Sequence, residues 1–364
     1  MRVNVLLLGL LLSLQCFSQP LDTITADNYY IEYTGRIDFT NPKAPGFSYS
    51  GVSIRASFQG SSISVMLNDT KSKNYYNIIL DKKILSKLKV DSGFKTYQLA
   101  KGLTDGVHEI ELFKLTEEMF GKTQFWGFLV DQGKNLVAIS DTRKLLFEFI
   151  GNSITCGYGN EGKLKETFGP STENHYLTYA AITSRYFNAR HMAVCKSGIG
   201  IYRNYNGPPQ GNKDCMSNYY DRIYLYDENP TYSFSEKPDL ICIDLGTNDF
   251  STYKGDSAKY VDTYIKFIRK LQMENKRADI ICLLGPMLKN NDLDRVRKYL
   301  KFIVETAQKK NKGNVYFFEM SQQKGDLGIG IDSHPTVAQH KKNAAELANF
   351  ISKLKGWPMN EGVE

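Results

Sequence analysis

Phe149-Ile-Gly-Asn-Ser-Ile-Thr-Cys-Gly-Tyr-Gly159 is the point where an apolar run ends abruptly in a small polar turn, with Ser153 at its tip. The run leading into it, Lys144 to Ile150, has the continuous apolar character of a strand buried on both faces. Such strands belong to parallel sheets, and ligands gather at their carboxyl ends. Gly151 permits a tight turn, and Asn152 or Ser153 suits the cap of the helix that must follow. The free amides of that helix start would face whatever the Ser153 hydroxyl attacks. Taken alone, Gly-Asn-Ser reads more simply as an ordinary capped turn, so the rest of the chain has to decide.

Downstream the pattern repeats. Apolar runs at Leu145 to Ile150, His191 to Cys195, Leu240 to Leu245, Ile280 to Leu284 and Val315 to Glu319 predict strands. Helical patterns near Glu173 to Tyr186, Ser257 to Met273, Leu293 to Gln308 and Pro335 to Leu354 separate or follow them. This alternation predicts a three-layer α/β domain with a parallel sheet over residues 144–364. Its strand ends share one rim, and each carries a distinctive cluster: Gly151-Asn-Ser153, Ser197-Gly-Ile-Gly-Ile-Tyr-Arg-Asn204, Gly246-Thr-Asn-Asp249 and Asp332-Ser-His-Pro335. Connections at Gly157 to Pro170 and Ile201 to Asn218 are long for ordinary loops, as expected of segments that line a site.

Upstream the chain reads as β. Ile31 to Phe39, Gly51 to Gln59, Ser61 to Asn68, Tyr75 to Leu80, Lys95 to Leu99, Val107 to Leu115 and Phe125 to Leu129 are short runs between turn residues, several with strict two-residue alternation. They predict an all-β jelly-roll sandwich over residues 19–143, with the boundary near Asp141-Thr-Arg143. Residues 1–18, with Arg2, the apolar run Val5 to Leu14 and a small-residue site before Gln19, have the form of a signal peptide. That predicts a secreted or periplasmic protein. Gln15 is a poor neighbour for lipidation of Cys16, and the apolar run is too short to span a membrane.

Composition is that of ordinary globular protein, with 41% hydrophobic residues and a tyrosine-heavy 12% aromatic content suited to polar ligands with flat apolar faces. The formal net charge of +7 is spread among acidic residues, which excludes a nucleic-acid-binding footprint. Of the cysteines that follow the leader, Cys195, Cys242 and Cys282 fall in strand-like core runs, whereas pairing of Cys156 with Cys215 stays open. No C-x-x-C or His-rich spacing marks a zinc site, so neither metal nor cofactor is expected.

The rim inventory fits acyl transfer. Ser153 is the candidate nucleophile and His334 the proton shuttle, with Asp332 folding back to fix the imidazole tautomer. Oxyanion donors are expected from the Ser153 amide, from Gly200 or, second, Gly198, and from the Asn248 side chain. Tyr158, Tyr202 and Tyr205 on the long loops are candidates for sugar contact, with loop packing as the equal alternative. Gly157-Tyr-Gly-Asn-Glu-Gly162 matches G-x-G-x-x-G, but it starts beyond the strand end and leads into residues 163–170, which do not continue as a helix.

The four clusters, in this order, resemble the four blocks of the SGNH, or GDSL-like, hydrolases. More narrowly, GNSITCGYGNEGK, TENHY, SGIGIYRNY and GTND behind an all-β domain resemble carbohydrate esterase family two. The resemblance implies a jelly roll followed by an SGNH domain that removes O-acetyl groups from xylan and related plant polysaccharides or oligosaccharides without a metal. A monomer is expected. Two positions depart from it. Asn152 replaces the superfamily's Asp, and Ser333 stands where family members often carry Trp, which bears on the preferred polysaccharide. Two other readings keep part of the pattern: a lipase- or thioesterase-type SGNH acyl hydrolase, and a carbohydrate-binding protein with an inactive hydrolase domain.

Overall fold

A computed structural model describes residues 20–363 apart from 141–142, 253–254 and 312–313. The leader expected at residues 1–18 lies outside the described residues, as do the first two residues of the Asp141-Thr-Arg143 boundary. No helix among the described residues is long and apolar enough to cross a membrane.

The first half of the chain forms two antiparallel sheets packed face to face. One runs in the order Ile37–Asp38, Gly46–Phe47, Thr123–Asp131, Ile63–Asp69, Gly93–Ala100, with Leu21–Thr25 also paired to Thr123–Asp131. The other runs Leu136–Val137, Ser53–Gly60, Gly106–Lys114, Tyr75–Leu80, Lys83–Lys89, with Glu32–Thr34 on Ser53–Gly60. Alternation explains the burial: Ile63, Val65 and Leu67 point into the core while Met66 and Asn68 face outward. The single strand expected over Ile31 to Phe39 divides at Gly35, its two parts joining different sheets. Lys83–Lys89 was not expected as a strand, because an exposed edge strand rich in lysine has no apolar face to betray it.

The second half builds a five-stranded parallel sheet in the order Arg190–Cys195, Leu146–Gly151, Leu240–Asp244, Asp279–Leu284, Val315–Glu319. Successive residues supply opposite faces. Ile150, Val194 and Ile243 pack under the helices Ser257–Glu274 and Asn290–Asn311, while Phe147, Phe149 and Cys242 pack under Tyr179–Tyr186 and Val337–Lys355. Caps fix where helices begin: Asp256 accepts from the amides of Ala258 and Lys259, and Thr336 from that of Gln339. The chain reverses direction across the sheet at Leu146–Gly151, so the nucleophile candidate lies at the topological switch point. Cys195, Cys242 and Cys282 are core residues, and Cys156 and Cys215 are free thiols.

The sandwich meets the second half through an apolar cluster of Ile79, Phe113 and Leu115 with Ala181 and through polar contacts. Arg36, fully buried, donates to Glu148 Oε1 at 3.0 Å and to the Tyr220 carbonyl at 2.6 Å, with its guanidinium 3.9 Å from the centre of the Tyr232 ring. The Tyr220 hydroxyl donates to the other Glu148 oxygen at 2.8 Å. Lys87 reaches the Ser171 carbonyl at 2.9 Å and Lys122 pairs with Asp227. Removing one partner of a buried ion pair strands the other in a low-dielectric interior. Arg36→Ala is therefore expected to cost about 3–5 kcal/mol of stability, read as a lower urea midpoint. Adding Glu148→Gln is expected to recover part of that loss.

Candidate active site

Ser153 opens a four-residue helix, Ser153–Cys156, directly at the end of the strand Leu146–Gly151. Asn152 is its cap. Its Oδ1 accepts from the Ile154 amide at 2.9 Å and its Nδ2 donates to the Asp244 carbonyl at 3.0 Å, bracing the turn against the next strand. Gly151 is required by close approach, because a Cβ there would lie 2.0 Å from Thr155 Oγ1.

His334 arrives from the loop before the last helix and places Nε2 2.8 Å from Ser153 Oγ. For Nε2 to accept the serine proton, Nδ1 must carry one, and its partner is the Ile331 carbonyl at 3.1 Å. Asp332 was expected in that position. Its carboxylate instead accepts the Tyr158 hydroxyl at 2.7 Å, while Asp332 and Ser333 adopt positive φ of 49° and 66°. The tight turn brings a main-chain oxygen, and not the neighbouring carboxylate, to the ring. Burial lowers the His334 pKa, partly offset by the Ile331 hydrogen bond and the nearby Asp332 charge.

Of the expected oxyanion donors, Gly200 is already engaged elsewhere. The Gly200 amide, the first choice, is buried and donates to Asn204 Oδ1 at 3.1 Å. A Cβ there would meet the Arg203 carbonyl at 1.9 Å, so Gly200 is explained by the packing of its own turn. Gly198 is partly exposed, has a φ of 78° and, among the described residues, has no acceptor for its amide. Asn248 donates one amide hydrogen to the Ile199 carbonyl at 2.8 Å, which fixes its side chain and leaves the second hydrogen.

The three tyrosines separate. Tyr202 is 6% exposed, packs in the core, and its hydroxyl accepts from the Asp256 amide at 2.6 Å, so it is a loop-packing residue. Tyr158 stacks on Phe168 with ring centres 3.5 Å apart and lies 4.4 Å from the His334 ring, making it a wall of the site. Tyr205, 54% exposed and beside Gly198, remains open to a ligand.

Two carboxyls escaped sequence reading. Asp249 accepts from the amides of Ile201, Tyr202 and Arg203 at 3.0–3.1 Å, tying down the second loop, and burial pushes its pKa up to about 6. Glu117, from the sandwich, accepts from the Ser197 amide at 2.7 Å and the Ser197 hydroxyl at 2.5 Å. Asp249 was visible within Gly-Thr-Asn-Asp, but nothing in Leu115-Thr-Glu-Glu-Met-Phe120 announces a partner 80 residues away. Among the described residues, no group of three or more His, Cys, Asp or Glu side chains is placed to hold a metal ion.

A hydroxyl hydrogen-bonded to an imidazole, beside free amide donors, can carry out acyl transfer. Comparison with known proteins agrees with that chemistry. The family description "Carbohydrate esterase 2 N-terminal" matches residues 33–139 and "GDSL-like Lipase/Acylhydrolase" matches residues 147–347. The chain is 38% identical over 333 residues to the cellulase/esterase CelE of Acetivibrio thermocellus, covering 91% of this chain and 40% of that protein. It is 30% identical over 332 residues to an acetylxylan esterase / glucomannan deacetylase of Cellvibrio japonicus, covering 86% of this chain and 87% of the relative. A solved family two carbohydrate esterase from Clostridium thermocellum, in complex with cellohexaose, superposes with a TM-score of 0.85 at 37% identity, over 90% of this chain and 99% of that one.

Two measurements follow from the histidine geometry. Because burial lowers the His334 pKa, its neutral form persists below the ordinary value near 6.5, so the acid limb of kcat/KM is expected below about pH 6.5. Asp332→Asn, which keeps a residue tolerant of positive φ, is expected to reduce kcat by about tenfold or less, because the carboxylate acts on the imidazole only through space and its hydrogen bond goes to Tyr158. Where a carboxylate itself holds the imidazole, the same substitution costs about 10⁴.

Proposed function

Since this chain belongs to carbohydrate esterase family two, we propose that it is an exported O-acetyl esterase that deacetylates xylan or related plant polysaccharides through an acyl-enzyme on Ser153. The observation that carries the reading is the 2.8 Å contact between Ser153 Oγ and His334 Nε2 at the rim of the parallel sheet. Ser153 Oγ attacks the acetyl carbonyl while its proton passes to Nε2. The resulting oxyanion is held by the amides of Ser153 and Gly198 and by the second Asn248 hydrogen. Collapse returns the proton to the departing sugar oxygen and leaves acetyl-Ser153. Water then attacks, again losing a proton to His334, and acetate leaves as that proton returns to Ser153.

The Ile331 carbonyl holds the tautomer throughout, and the nearby Asp332 charge favours the imidazolium formed in each half of the cycle. Export is supported by the leader-like residues 1–18. Tyr205 offers an exposed ring against which a sugar can lie.

Acetate release from acetylated xylan, glucomannan and pectin tests the assignment. The wild type is expected to act on at least one of them, and Ser153→Ala to lose about 10⁴-fold or more in kcat. Near-normal release by Ser153→Ala would overturn the assignment. Asn248→Ala is expected to lower kcat about 10²–10³-fold.

A further inference from the structure

The oxyanion loop is held in place by a side chain from the other half of the protein. Glu117 follows the sandwich strand Gly106–Lys114, is fully buried, and spends both carboxyl oxygens on the catalytic half. Oε2 accepts the Ser197 amide at 2.7 Å and Oε1 accepts the Ser197 hydroxyl at 2.5 Å. The Cys156 thiol, at the last residue of the nucleophile helix, approaches Oε2 at 3.7 Å. Glu117 is itself fixed by its amide, which donates to Glu173 Oε1 at 2.5 Å.

Ser197 immediately precedes Gly198, so the two bonds fix the orientation of the chain entering the peptide whose N–H the proposed mechanism assigns to the oxyanion. A donor aimed at a developing charge contributes most when it needs no reorientation at the moment of reaction. Gly198 has positive φ and no side chain to pack, and the nearest atom to a Cβ placed there is Tyr205 Cβ, 3.8 Å away. Its carbonyl accepts from the Tyr205 amide at 2.8 Å and the Ser197 carbonyl from Lys196 Nζ at 3.3 Å, so the Glu117 bonds supply the hold on the Ser197 amide and hydroxyl that these two leave unmade.

We propose that Glu117 is a positioning residue for ester cleavage: by clamping Ser197 it preorganises the Gly198 amide, so that the sandwich completes the oxyanion site. The inference rests on the acyl-enzyme reading above. Glu117 touches neither substrate nor the reacting atoms. Its effect falls on the tetrahedral state and spares both substrate binding and the proton shuttle.

The test compares full-length wild type, Glu117→Gln, Glu117→Asp and Ser197→Ala, using p-nitrophenyl acetate turnover and the affinity for methaneboronic acid, which forms a tetrahedral adduct on the nucleophile. Gln keeps the size of Glu117 but presents an NH₂ to one of two donors. It is expected to lower kcat about 10–100-fold at nearly unchanged KM, less than the loss of about 10²–10³-fold for a donor removed outright, because the Gly198 amide is displaced and not lost. Boronate affinity is expected to weaken by a similar factor, with the acid limb of the pH profile unmoved. Glu117→Asp keeps the charge and is expected to recover part of the loss, and Ser197→Ala, which removes only the hydroxyl contact, to lose less than Glu117→Gln.

A folded Glu117→Gln with kcat and boronate affinity within about twofold of wild type would overturn the inference, the predicted loss being at least about tenfold. So would a loss confined to melting temperature. Should Glu117→Gln not fold, unchanged boronate affinity in Ser197→Ala overturns it equally. If wild type turns over p-nitrophenyl acetate but releases no acetate from polysaccharide, the polysaccharide reading fails while the Glu117 comparison still stands.

Discussion

The hydrogen bond between Ser153 and His334 joins groups 181 residues apart, and most of the structure serves to make it 2.8 Å long. Four strands must be laid down in register between the two residues before the loop carrying His334 can return to the strand that carries Ser153. Each of those strands is apolar on both faces, so a slip of one residue would carry side chains fitted to one helical layer to the opposite one. The geometry of the site is thus a by-product of core packing, with two additions at the rim: the Asn152 brace to the Asp244 carbonyl and the Ile331 carbonyl behind the imidazole.

Use of a main-chain oxygen behind His334 changes the electrostatics. A carboxylate in contact with Nδ1 would raise the imidazole pKa, whereas a carbonyl offers a dipole and burial opposes the charge. His334 accordingly stays neutral further into the acid range. Asp332 keeps its influence through space while its hydrogen bond goes to Tyr158, a ring already wedged against Phe168 and His334. The aromatic wall and the acid therefore form one assembly around the histidine.

Periodicity made the architecture legible: alternating residues gave most of the sandwich strands, and continuous apolar runs gave the parallel sheet and its helices. The strand-end clusters brought forward Ser153, Asn248 and His334. What stayed hidden depended on contacts between distant parts of the chain. Gly198 and Gly200 look alike in sequence, and what separates them is the fold of their turn, where the Asn204 side chain occupies the Gly200 amide and Gly198 stays partly exposed. Tyr202 and Tyr205 are three residues apart on one loop, yet one turns into the core and the other outward. Asp332 lies so near His334 in sequence that a direct contact is the natural expectation, and only the positive φ angles at Asp332 and Ser333 redirect it.

Arg36 lies early in the chain, while both groups that hold it, Glu148 and the Tyr220 carbonyl, lie far downstream. During synthesis the sandwich emerges from the ribosome first, with its guanidinium still requiring water. Burying that charge before residue 148 has emerged would incur the desolvation cost with nothing to offset it. The seam around Arg36 therefore closes only after the chain has been made as far as Tyr220, and a fragment that ends at the last sandwich strand lacks both groups that hold the guanidinium in the complete protein.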